Sequence, residues 1–160
     1  MFFREPVRLR LPAATVRPRL LRLCQSDAIT VTSERALDQA ALAAGVNEPA
    51  ARIAPPDTDH DTPHVRLVVQ ILPASTWGRV TIVPIRWWWP DMLDRPLLDA
   101  DLELEPSVDD ATCQLRLVGV LHPTPPNHAA TDQLHPRVFS LRDARRFLGL
   151  IGEQLTNPPG

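Results

Sequence analysis

The chain has 160 residues, of which 44% are hydrophobic and 22% are charged, the size and composition of one globular domain and not of a disordered chain. Its formal net charge of −2 excludes the basic field that nucleic acids and anionic lipid surfaces select. Lysine and tyrosine are both absent, so catalysis by a Schiff-base amine or a phenolic acid is excluded.

Nothing in the sequence predicts a targeting segment or a membrane span. The first residues, Met1–Glu5, contain no apolar stretch of signal-peptide length, and no run of about 18 apolar residues occurs anywhere. We therefore expect a cytoplasmic protein without membrane insertion. Cys24 and Cys113 lack metal-site spacing and lie in apolar runs, which favours buried free thiols.

The first two predicted elements are a strand and a helix. Val7–Leu11 alternates apolar and basic side chains and is followed by Pro12, which is typical of a half-buried strand. Within Ala14–Cys24, apolar residues recur at helical intervals. Because proline is unfavourable inside a helix, we expect this helix to begin at or near Pro18.

The next segment is predicted to contain a short strand and a second helix. Ala28–Thr32 is rich in β-branched residues, which favours a strand. Ser33 is a suitable N-cap for a helix that continues to Ala44, with Gly45 as its stop. Residues 47–63 are rich in proline and aspartate and are predicted to form a loop.

Beyond residue 63 the chain is predicted to form an antiparallel sheet. Strand-like segments follow one another with short connections, so consecutive strands should pair. These segments are Val65–Leu72, Arg79–Trp89, Leu98–Glu105 and Thr112–His122.

The segment Leu98–Glu105 has the clearest pattern. Leucine or alanine at even positions alternates with aspartate or glutamate at odd positions, so one face should be buried and the other solvated. A slip of one residue would bury all of these carboxylates, so this strand should fix the register of the sheet. On the next strand, outward-facing Val118 and Val120 make that face unusually apolar for a solvated one.

The chain ends in a second predicted loop and a helix. Residues 123–136 are rich in proline, histidine and asparagine. Ser140 is a candidate N-cap, and Asp143 in the first turn complements the helix dipole. The apolar stripe of the helix consists of Ala144, Phe147, Leu148, Ile151 and Leu155.

Three strand segments, Val83–Trp87, Leu98–Leu104 and Leu115–Pro123, resemble uncharacterised proteins of the START-like (SRPBCC) superfamily of polyketide cyclases and lipid-transport proteins. The most specific element is the Asp-Ala-Asp-Leu strand, followed by a glycine-containing strand that ends in proline. The resemblance extends over residues 65–155. It implies one α+β domain, residues 1–160, with a helix-grip fold in which a curved antiparallel sheet wraps around the long C-terminal helix.

The resemblance also implies a cavity between the sheet and the C-terminal helix that holds an apolar molecule. It carries over no catalytic residue, metal ligand or cofactor. The chain differs from the family at Leu121–His122 and in a shortened loop 123–136, so the identity of the ligand is not implied. We expect the cavity to be bounded by Ile85, Trp87, Leu102, Leu117, Phe147 and Ile151.

The tryptophan run 87–89 is the most unusual feature. Alternation predicts Trp87 and Trp89 on the cavity face and Trp88 on the opposite face. A bulge at Pro84 would reverse this assignment. If Trp88 lies beside Val118 and Val120, the exposed apolar patch suits a homodimer.

Two groups of polar residues are weaker candidates for a site. Asp59–His64 has metal-ligand residue types, but the spacing matches no zinc pattern and a solvated loop is favoured. His122, His128 and His135 are more typical of a mobile cavity mouth than of a site.

The carboxylates at Asp99, Asp101 and Glu103 could be interpreted as an acid pair for hydrolysis. Cross-strand ion pairs with Arg86 and Arg116 explain them better, because all lie on the same solvated face.

Three functional hypotheses therefore follow from the sequence. The first is a module that binds a small apolar or aromatic molecule. The second is a cyclase or dehydratase that acts in the same cavity, with His122 as acid or base and a partner carboxylate that the sequence does not identify. The third is a homodimeric interaction module that uses the Trp88 face.

Overall fold

The structure, a computed structural model, describes residues 1–43, 67–89, 96–122 and 140–157, with side chains throughout except at residues 38–43. The predicted loops at 47–63 and 123–136 lie outside these residues. Within the described ranges the chain forms one antiparallel sheet and three helices. The sheet is curved and the C-terminal helix packs on it, which confirms the predicted α+β, helix-grip arrangement.

The first strand of the sheet pairs with the last. The strand order is β1-β6-β5-β4-β2, and β3 also pairs with β4. Every pairing is antiparallel. The strands are β1 (Phe2–Leu9), β2 (Val68–Ile71), β3 (Ser75–Trp77), β4 (Val80–Trp88), β5 (Leu98–Pro106) and β6 (Cys113–Leu121).

The helices α1 (Ala13–Cys24), α2 (Ala28–Ala43) and α3 (Leu141–Thr156) pack on one face of the sheet, here called the inner face. Helix α3 lies against β1 and β6, whereas α1 approaches β5 and α2 approaches β2. The core thus lies between the sheet and three helices, and α3 is one part of that layer.

Helix α3 is capped at both ends by side chains. Ser140 is the N-cap as predicted, and its backbone N–H and hydroxyl donate to Asp143 Oδ2 at 2.8 and 2.7 Å. At the other end, the Arg19 guanidinium of α1 donates to the Leu155 carbonyl oxygen at 2.7 Å. A cation at the negative end of the helix dipole ties α1 to α3.

The prediction that α1 begins at Pro18 is wrong. The helix begins at Ala13, directly after Pro12, and Pro18 lies inside it. Pro18 has no N–H for the carbonyl of Ala14, but both residues are exposed, so water can satisfy that oxygen. Burial of Val16 and Leu20 on the opposite face stabilises the helix despite the proline.

The predicted strand at Ala28–Thr32 is also wrong, because α2 begins at Ala28 and Ser33 lies within it instead of capping it. The hydroxyls of Thr32 and Ser33 donate to the carbonyl oxygens of Ala28 and Ile29 at 2.6 and 2.7 Å, which lets both polar side chains be buried in a helix. The buried positions then follow helical spacing: Ile29, Thr32, Ser33, Ala36 and Leu37.

The edge of the sheet formed by β2 and β3, which both pair with β4, contains a β-bulge. Ile71 pairs with Ile85 and Ser75 pairs with Ile82, so three residues on the edge oppose two on β4. Pro73, which has no N–H to donate, lies in the bulge. Strand β4 itself keeps strict alternation through Pro84, so the phase of the tryptophans is not shifted.

Candidate functional site

The six side chains predicted to bound a cavity all belong to one buried core between the inner face of the sheet and the helices. Ile85 and Trp87 lie on β4, Leu102 on β5 and Leu117 on β6, and Leu102 pairs directly with Leu117. Phe147 and Ile151 belong to the buried stripe of α3. Alternation along three adjacent strands and helical spacing along α3 bring these residues together.

Trp87 and Phe147 join β4 to α3. Their ring centroids are 5.0 Å apart and the rings are nearly perpendicular, at 87°. This edge-to-face geometry is favoured by the quadrupoles of the two rings. The inward orientation predicted for Trp87 is therefore confirmed.

All six side chains are completely buried, with 0% of their surface accessible. An accessible fraction of zero means that a water-sized sphere reaches them neither from solvent nor from an internal void. In this conformation the six residues contact only other parts of the protein.

Beside Trp87 the inner face of the sheet has its smallest side chains. Gly119 pairs with Ala100 in the row next to that of Trp87 and Leu98. A Cβ atom at Gly119 would lie 2.3 Å from the backbone oxygen of Asp99 and 2.4 Å from the Ala100 Cβ. The absence of a side chain is thus required for the close approach of β5 and β6.

The indole of Trp89 and the hydroxyl of Thr81 are among the buried polar groups that lack a hydrogen-bond partner in the described residues. The indole Nε1 of Trp89 is buried, although the residue as a whole is half-buried against the core. The hydroxyl of Thr81, on the inner side of β4, is also unpaired and the residue is 2% exposed. Such groups are rare in folded proteins, because burying them without a partner costs free energy.

Trp88 lies on the face of the sheet turned away from the helices, here called the outer face, as predicted. Its predicted proximity to Val118 and Val120 is wrong, because β5 lies between β4 and β6. Sequence reasoning placed Trp88 on the correct face but could not give the strand order.

The predicted cross-strand ion pairs on the outer face are confirmed, except at Asp101. Arg86 pairs with Asp99 at 3.1 Å, and Arg116 pairs with both Glu103 and Glu105. Asp101 lies between Val118 and Pro84. Burial raises the pKa of its carboxyl above the usual range, and the nearby Asp99 carboxylate adds to the shift.

The remaining candidates from the sequence do not form a second site in the described part of the chain. Asp59–His64, His128 and His135 lie outside the described residues. His122 is half-buried at the end of β6, where its backbone N–H donates to the Leu97 carbonyl oxygen at 3.0 Å. The described residues include no group of three or more potential metal ligands.

Both cysteine thiols are unfavourable nucleophiles. Burial raises the pKa of Cys24 to about 11 and also raises that of Cys113. Both thiols therefore stay protonated near neutral pH and act as small apolar side chains.

No protein-family model, no curated protein and no solved structure matches the chain. Across the helices that the structure describes, none has the length and apolar character required to span a membrane.

Proposed function

We propose that the chain binds a small, largely apolar or aromatic molecule between the inner face of the sheet and α3. The arrangement of elements supports this proposal, since a curved antiparallel sheet with the C-terminal helix packed on its inner face is what the START-like resemblance implied. The interior is bordered by apolar residues from three strands and one helix.

The unpaired indole N–H of Trp89 carries the proposal. Tryptophan presents a large apolar surface and one donor, and that donor is normally paired when it is buried. Trp89 follows Trp87 on the inner side of the alternation and packs against the core. A carbonyl, ether or hydroxyl oxygen on an otherwise apolar ligand would accept this hydrogen bond and remove the cost of the unpaired group.

The closed packing of the site determines how a ligand enters. Because Trp87 and Phe147 have no accessible surface, a ligand has to separate them and move α3 relative to β4. Part of the binding free energy is spent on this separation, so we expect modest affinity. The environment of Trp87 should change more than that of any exposed tryptophan.

The test is a fluorescence titration with anilinonaphthalene sulfonate as an apolar aromatic probe. Saturable binding of one probe per chain should quench or shift tryptophan emission in the wild type, and Trp87→Phe and Trp89→Phe should each reduce this response. Trp77→Phe is the matched control, because Trp77 is 82% exposed on β3 and should leave the response unchanged. Native mass spectrometry of the purified chain would identify a molecule that co-purifies.

Two results would contradict the proposal. One is the absence of saturable probe binding to a folded chain that also carries no co-purifying molecule. The other is an equal loss of response in Trp87→Phe and Trp77→Phe, because the probe would then bind outside the space under α3.

A further inference from the structure

On the outer face of the sheet, the outward-facing side chains of each strand form a column, and the columns differ in charge. The β5 column is acidic throughout, whereas the neighbouring β6 column changes from valine to arginine and glutamine, and the edge column on β1 alternates apolar residues with arginines. These columns contain Asp99, Asp101, Glu103 and Glu105 on β5; Val120, Val118, Arg116 and Gln114 on β6; and Phe2, Arg4, Pro6 and Arg8 on β1.

Within this pattern, Arg4, Arg8 and Asp101 have no ion pair in the described part of the chain, and Arg8 donates a hydrogen bond to Thr112 Oγ1 instead. Arg4 is exposed, and Asp101 is half-buried between two apolar neighbours. Both lie in one row across the sheet, because Arg4 and Asp101 each pair with Val118 from opposite sides. Arg4 and Asp101 are therefore opposite charges that lie equally far from β6, one strand spacing of about 4.8 Å on either side.

We propose that a second copy of this chain packs on the outer face, related by a two-fold axis that runs parallel to β6 in front of Val118, between the two outer faces. Such a rotation exchanges the columns on either side of β6. The β1 column of each chain then faces the acidic β5 column of its partner, and Arg4 faces the partner's Asp101 in two symmetric pairs.

The same rotation brings apolar side chains together at the centre. Val118 and Val120 face their own copies across the axis, and Phe2, which is 69% exposed in the single chain, becomes covered opposite the partner's Asp99. Arg116 also faces its own copy, but each Arg116 is paired with Glu103 and Glu105 of its own chain. The contact spans three strands, β1, β6 and β5, which is smaller than a standard protein interface. A weak, concentration-dependent dimer is therefore expected, with partner choice determined by charge.

The experiment is sedimentation of the full chain over a dilution series, with charge reversal of each partner. The wild type should approach twice its 17.8 kDa mass as its concentration rises. Arg4→Asp and Asp101→Arg should each weaken association by about a hundredfold or more, since like charges then face each other. An equimolar mixture of the two variants should recover association, because the mixed dimer has two opposite-charge pairs.

The matched control variants change the charge or the size of a side chain that lies outside the proposed contact. Arg142→Asp reverses a charge on exposed α3 surface and should leave the dissociation constant unchanged. Trp88→Ala should do the same, because β5 separates Trp88 from the axis.

A second measurement does not depend on the charged variants. Val118→Cys places a thiol at the axis, so a short bismaleimide should link two chains. Val68→Cys, the same substitution at a position on β2 far from the axis, should not give this product.

Three results would overturn the proposal. The first is a chain that stays monomeric at about millimolar concentration. The second is a dimer that is unaffected by either charge reversal, or variants that the mixture does not rescue. The third is equal cross-linking of Val118→Cys and Val68→Cys, which would place the contact elsewhere.

Discussion

Trp87 and Phe147 are among the largest fully buried side chains in the described core, and each comes from a different layer. Truncation of Phe147 removes the ring contact and leaves a cavity that the sheet and α3 cannot fill. We expect Phe147→Ala to lower the free energy of unfolding by about 3–5 kcal/mol, as measured by urea denaturation. Phe2→Ala, on the exposed edge strand, is the control and should have little effect on the dilute chain.

A loss below about 1 kcal/mol for Phe147→Ala would contradict the close packing of α3 on the sheet, because such a loss is typical of a surface position.

Gly119 gives a second prediction about a single residue. Gly119→Ala places a Cβ within 2.3 Å of the Asp99 backbone oxygen, so the strands must separate locally. We expect a destabilisation of about 1–3 kcal/mol, the range for an overpacked core. Gly149→Ala is the opposite case: no atom lies within 4 Å of the new Cβ, and alanine is the better helix former, so thermal unfolding should show a gain of stability.

Strand β5 gives a prediction about a whole element, because its inner face requires apolar side chains whereas its outer face accepts polar ones. Leu102 is fully buried, so Leu102→Asp should prevent folding by leaving an unpaired carboxylate in the core. Asp101→Asn, one residue away on the outer face, should preserve the circular dichroism spectrum and the unfolding transition. A greater loss from Asp101→Asn than from Leu102→Asp would reverse the assignment of the faces.

The pH dependence of Asp101 has a definite sign. Desolvation raises its pKa in the folded chain above that in the unfolded chain, so protonation favours the folded state. This contribution is complete below the unfolded value and is lost as the pH rises through the folded value. Asp101→Asn should therefore be at least as stable as the wild type at neutral pH, and its advantage should decrease toward about pH 4, in denaturant titrations of the dilute chain.

A helix or strand could be predicted where its sequence pattern depends only on residues that are close together in the chain. The period of two along β4 and β5 predicted which side chains are buried, because alternation needs no knowledge of neighbouring strands. The beginning of helix α2 was predicted wrongly, because Ala28–Thr32 is rich in β-branched residues and Ser33 is a suitable N-cap. The hydroxyls of Thr32 and Ser33 bond to backbone carbonyls within the helix and make burial possible, an interaction that composition does not show.

The sequence predicted which residues form the candidate site, but it did not predict that their side chains are completely buried. Alternation and helical spacing identified six side chains that the structure brings together in one core between the sheet and the helices. Their complete burial depends on how α1 and α2 also cover the inner face, which no local pattern encodes. The separation of Trp88 from Val118 likewise depends on strand order, a property of the whole sheet.

At the scale of the whole molecule, the two faces of the sheet should be functionally independent. A ligand under α3 contacts the inner face, whereas the proposed second copy contacts the outer face. Arg4→Asp should therefore leave the titration with anilinonaphthalene sulfonate unchanged, and Trp87→Phe should leave sedimentation unchanged. If Arg4→Asp changed the probe titration, or Trp87→Phe changed sedimentation, the two faces would be linked. The sheet would then bend when the ligand binds.

The pairing of β1 with β6 also determines when the sheet can be completed. Met1 and Leu121 exchange hydrogen bonds across 120 positions of sequence, so β1 can pair only after β6 has been synthesised. Closing so long a loop is entropically costly and slows folding, whereas β4, β5 and β6 can form locally beforehand. Pulsed hydrogen exchange should therefore show the amides of β5 protected early and those of β1 late. Until β1 docks, the β6 edge is open to strands from other chains, and this interval is when the newly made protein is most exposed to aggregation.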